Sequence, residues 1–141
     1  MGYYMRFIST DDREITLSIL EQALLKVDPR YSISAVGELR HAEDLYGLIQ
    51  IDLLDECDEE IAELKEDVEE ARGTRRAEVI KTLDEARTMV AVQVLWQGRE
   101  TEPTLLKIDP LWDWLFSYRT GLQHADGEGY YDRSGLILQV R

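Results

Sequence analysis

The stretch from His124 to Asp132 (HADGEGYYD) places His124, Asp126, Glu128 and Asp132 within nine residues. An imidazole beside carboxylates can hold a divalent cation, or serve as acid and base where burial drives the pKa values apart. Gly127 and Gly129 permit tight turns, and Tyr130 and Tyr131 add rigid amphipathic surface. The spacing matches no known ligand pattern, and Asp-Gly followed by Glu-Gly is ordinary turn chemistry ahead of a strand. A structural turn is therefore the first expectation, a metal or small-ligand loop the second, and catalysis the last.

A second candidate is the segment Pro110 to Thr120 (PLWDWLFSYRT). Trp112 and Phe116, Leu111 and Leu115, and Trp114 and Tyr118 are each four residues apart, so on a helix they cover most of the circumference instead of one stripe. Such a helix is either wedged between other elements or leaves a side for a partner. Trp112, Trp114, Tyr118, Tyr130 and Tyr131 are the interface candidates, because Trp and Tyr are common anchors in protein interfaces. A homodimer is the simplest form of that interface.

The third candidate is electrostatic. Between Asp52 and Glu70 stand eleven acids and one base, Lys65, and these nineteen residues supply ten of the thirteen net negative charges. Glu59, Glu63, Glu66, Asp67 and Glu70 would form an acidic docking face for a basic protein, as an inhibitor or immunity-type protein would use, or simply a solvated helix face. A calcium loop is a poor fit, because Asp52 is followed by Leu53-Leu54 with no glycine near. Arg72 to Arg87 is mildly basic, with five bases against three acids.

Other reactive residues offer less. The single cysteine, Cys57, excludes an intrachain disulfide, and its five carboxylate neighbours (Asp55, Glu56, Asp58, Glu59, Glu60) oppose a thiolate. His41, beside Glu43 and Asp44, reads as a surface histidine. The chain has no P-loop, dinucleotide fingerprint, Gly-x-Ser-x-Gly elbow or zinc-protease helix, so no cofactor is expected.

The elements that position these residues follow from periodicity. Tyr3–Ser9 is rich in aromatic and branched residues and predicts a strand. Asp11 with Glu14 has the form of a capping box, and a helix follows to Val27. Tyr31–Val36 and Leu45–Leu53 alternate and predict an antiparallel strand pair, joined by a polar connection from Gly37 to Asp44. Asp55 to Arg87 is helical, either one bent helix or two helices joined near Gly73. Met89–Trp96 predicts a strand buried on both faces, Gln97–Pro103 a loop, and Asp109-Pro110 a helix start that Gly121 ends. Leu136–Val140 predicts a last strand.

The first six elements suggest an α+β ferredoxin-like βαββαβ sandwich, mostly antiparallel with helices on one face, extended by a C-terminal helix and strand. A length of 141 residues suits one domain over 1–141, and 44% hydrophobic with 32% charged residues excludes a disordered or membrane-embedded chain. A net charge of −13 disfavours nucleic acid and anionic membranes as partners. Arg6 and Asp11 interrupt the opening apolar stretch, so no leader is expected and a cytoplasmic location is the default. The leading functional expectation is a non-enzymatic interaction module acting as a homodimer. The alternatives are an acidic inhibitor docking through residues 52–70, and a metal-dependent enzyme or small-ligand binder at 124–132.

Overall fold

Strand alternation sorts the residues of the first strand, β1 (Tyr3–Ser9), onto two faces: Met5 and Phe7 enter one core, and Ile8 enters another. That division holds across a sheet with a core on each side. The computed structural model describes residues 2–140. These comprise four helices and eight strands, each strand antiparallel to its neighbours.

In chain order after β1 come α1 (Leu17–Leu25), β2 (Tyr31–Ile33), β3 (Glu38–His41), β4 (Asp44–Leu53), α2 (Leu54–Glu70) and α3 (Arg76–Asp84). They are followed by β5 (Thr88–Val94), α4 (Thr101–Tyr118), β6 (Gly121–Ala125), β7 (Gly129–Asp132) and β8 (Gly135–Gln139). The sheet order is β2-β3-β4-β5-β1-β6-β7-β8. Leu20 and Leu24 of α1, with Ile108, Leu111, Trp112 and Leu115 of α4, pack on the Phe7 face. Ile61, Leu64 and Val68 of α2, with Val79 and Leu83 of α3, pack on the Ile8 face.

The α+β class holds, but the chain does not form the expected ferredoxin-like sandwich. Helices cover both faces, β5 stands between β4 and β1, and β6, β7 and β8 extend the sheet beyond β1. The polar connection expected at Gly37 to Asp44 contains β3, which pairs with both β2 and β4, so those two strands are not partners. Leu39 and His41 point inward while Glu38 and Arg40 are partly exposed, an alternation hidden by the number of charges. His41 is buried, hydrogen-bonded through Nε2 to Asp28 at 2.9 Å and packed edge-on against Tyr31.

Helix boundaries moved for identifiable reasons. The cap of α1 is Thr16, whose hydroxyl accepts from the Ile19 N–H at 3.1 Å, whereas Asp11 is held by Arg13. Ile15 and Leu20 flank that cap and are buried in the same core, which fixes the angle at which the chain enters the helix. The 55–87 stretch is two helices. The Arg76 guanidinium donates to the carbonyls of Glu69 and Ala71, satisfying the open C-terminal end of α2. Helix α4 begins at Thr101, eight residues before the expected Asp109 cap, and Pro110 lies inside it. Pro110 has no N–H for the preceding turn. Burial of Ile108, Leu111, Trp112 and Leu115 carries the helix through that position.

Candidate functional site

The acids of α2 divide by helical phase. Ile61, Leu64 and Val68 point into the core, which turns Glu59, Glu63, Glu66, Asp67 and Glu70 outward. Among the described residues, only Glu60 of the eleven acids between Asp52 and Glu70 has a cationic partner within ion-pair distance. Glu59 and Glu63 border a depression of about 520 Å³ between α2 and β4, floored by Gln50 and Asp52. Asp67 and Glu70 lie further along α2, against Gln139 and Val140. The five expected docking acids thus share a helix but not one concavity.

The depression continues over bare sheet. Leu48 and Gln50 lie on the α2 face of β4, because their neighbour Ile49 enters the opposite core. They join Tyr4, Val36, Ala91 and Gln93 around a second hollow of about 300 Å³, which shares Gln50 with the first. Leu48 is 37% and Val36 78% exposed. The helices of this face cover its Ile8, Met89 and Leu122 end and leave the Tyr4 and Gln93 end open.

Arg6 joins these surfaces to the 124–132 segment. Its guanidinium donates to Glu60 at 3.0 Å and to Asp126 at 2.8 Å, and reaches Nδ1 of His124 at 3.2 Å. A guanidinium can only donate, so Nδ1 accepts and the imidazole is neutral. Burial, and then the charge of Arg6, bring the His124 pKa down to about 4. The Tyr130 ring lies 4.8 Å from His124, and its buried hydroxyl has no partner among the described residues. Burial raises the pKa of that phenol.

Residues 124–132 are a β-hairpin, not an irregular loop: β6 and β7 pair, and Asp126 to Glu128 make the turn. Alternation then separates the candidate ligands. His124, Asp126 and Tyr130 lie toward α2, while Glu128 and Tyr131 lie beside α4. Asp132 pairs with Arg75 at 3.0 Å. No cluster of three or more His, Cys, Asp or Glu side chains able to hold a metal occurs among the described residues.

On the α4 side, a cleft of about 530 Å³ opens between α4 and strands β1, β6 and β7. Tyr3, Trp112, Phe116 and Tyr131 contribute its aromatic walls. Both phenols donate to one carboxylate, Tyr3 to Oε2 and Tyr131 to Oε1 of Glu128, each at 2.5 Å. The hydrogen bond to Glu128, together with partial burial, pushes the Tyr131 phenol up to about 12. Asp109 and Asp113 face the same space from α4; partial desolvation and the charge of Asp113 raise the Asp109 carboxyl above its ordinary value. Of the α4 interface candidates, Trp112 is buried, Trp114 is half-buried under the Arg119 guanidinium, and Tyr118 is exposed.

Tyr3, Asp109 and Asp113 escaped the sequence reading because they belong to this cleft only through pairing of β1 with β6 and packing of α4. Arg6 carried a signal that could have found it, as a lone charge in an otherwise apolar strand. No nucleophile is activated at Cys57: burial, followed by the charges of Asp52, Glu60, Asp58 and Glu56, pushes its thiol up to about 11. Compared with protein-family models, curated proteins and solved structures, the chain matches none. Among the described residues no helix is long and apolar enough to cross a membrane.

Proposed function

We propose that this protein is an interaction module that docks a basic protein surface on the face formed by the first half of α2 and the adjoining open sheet. The observation that carries this reading is the juxtaposition at Gln50 of two hollows, one walled by acids and the other floored by Leu48, Tyr4 and Gln93. Unpaired carboxylates beside partly apolar surface fit a partner that presents lysine or arginine around an apolar centre. Such charges speed encounter and make association sensitive to salt. An inhibitor or immunity-type role is the version in which that partner is an enzyme.

A second copy of the chain is the less supported occupant. Leu111, Trp112 and Leu115 are already buried inside the protomer. The large exposed apolar side chains of α4, Leu106 and Tyr118, are twelve residues apart and so point about 120° away from each other.

The reading is tested by following backbone amide shifts while an amphipathic lysine–leucine peptide is added. Shifts concentrated at Leu48, Gln50, Asp52 and the segment 56–63 support it. Shifts spread evenly over every acidic surface, or absent from this face, overturn it.

A further inference from the structure

We propose that the cleft between α4 and strands β1, β6 and β7 binds an organic cation, a guanidinium or primary ammonium group. This site lies across the sheet from the docking face and is independent of it. Its volume of about 530 Å³ falls within the range of small-ligand sites. Glu128, an exposed residue of its lining, is oriented on both carboxylate oxygens by Tyr3 and Tyr131. Each of those oxygens keeps a lone pair after accepting one phenol, enough for the paired N–H donors of a guanidinium.

Charge in the cleft is unbalanced. Asp109, Asp113 and Glu128 have no ion-pair partner among the described residues. Among the described residues, the one cationic side chain lining it, Arg133, donates to Ser117. Partial burial, and then the charge of Asp113, raise the Asp109 carboxyl, and a cation bound between the two would favour the ionised form. The rings of Tyr3 and Tyr131, which line the cleft, offer aromatic surface to a guanidinium or ammonium. The hairpin turn that presents Glu128 is pinned from behind by hydrogen bonds to the Ala125 carbonyl and from the Val140 N–H.

The test titrates butylguanidinium against the intact protein, with uncharged butylurea as the isosteric control. Binding is read by calorimetry and by the indole N–H signal of Trp112. Butylguanidinium should bind and move that signal, and butylurea should bind at least tenfold more weakly. Glu128→Gln and, separately, the exposed Asp113→Asn should each weaken butylguanidinium by roughly tenfold. Glu59→Lys with Glu63→Lys should leave it unchanged. The tripeptide acetyl-Gly-Arg-Gly-amide separates two sources of the cation: tighter binding than butylguanidinium assigns the cleft to an arginine side chain of a polypeptide, weaker binding to a free small cation. The proposal is overturned if folded protein gives no binding at millimolar butylguanidinium, if butylurea binds equally well, or if the α2 reversal rather than Asp113→Asn removes binding.

Discussion

At the scale of single residues, Arg6 and His124 show how a strand that reads as apolar carries a polar centre. Arg6 bonds Glu60 and Asp126; Arg6 and Tyr130 lie against His124, and the charges of Asp126, Asp67 and, from across the sheet, Glu128 also act on it. Because the folded pKa lies near 4 and the ordinary value is 6.5, the unfolded chain binds a proton between those pH values that the folded chain refuses. The resulting stability is fully present above pH 6.5 and declines as the pH falls toward 4, by roughly 3 kcal/mol in all. His124→Gln should flatten the melting-temperature profile in that window, and an unchanged slope would contradict the assignment. Asp11 and Asp28, held low by hydrogen bonds from Arg13 and Arg30, lose their contributions only below the ordinary aspartate value of about 3.9. Arg6→Met should raise the His124 pKa, measurable from the ring resonances, because it removes a cation that opposes protonation. Cys57 gives a third prediction: at about pH 8 the folded protein should react with iodoacetamide far more slowly than the urea-unfolded chain.

At the scale of elements, strong periodicity was readable and weak polar strands were not. Strand β1 matches its expected bounds, and β4 and β5 lie close to theirs, because branched and aromatic residues dominate them. β3 was hidden by Glu38, Arg40 and His41, and β6 by its position between a helix stop and a glycine-rich hairpin. The early start of α4 was masked by Pro103, which lies in the first turn where a missing N–H costs nothing. The apolar girdle of α4 proved to be mostly core, so Leu111→Ala should cost about 3 to 5 kcal/mol in denaturant unfolding. A cost below about 1 kcal/mol would mean that α4 is loosely packed. Gly129 has φ of +141°, and a Cβ there would stand 2.0 Å from the Leu138 carbonyl oxygen. Gly129→Ala should therefore destabilise the β7–β8 edge, with faster amide exchange at Tyr130 and Leu138 as the local readout.

At the scale of the whole molecule, the charge of −13 is concentrated and placed: most of it lies on α2, and part of that acidic surface borders uncovered sheet. The sequence located the acids, while the open sheet beside them depended on β5 entering between β4 and β1, which no local pattern encodes. The most direct measurement compares two double reversals of equal charge, Glu59→Lys with Glu63→Lys on α2 and Glu14→Lys with Glu43→Lys elsewhere, for affinity toward the same lysine–leucine peptide at physiological salt. A localised docking face predicts a loss of about tenfold or more for the first pair and little change for the second. Equal losses for both pairs would show that only net charge matters and would contradict a docking face on α2.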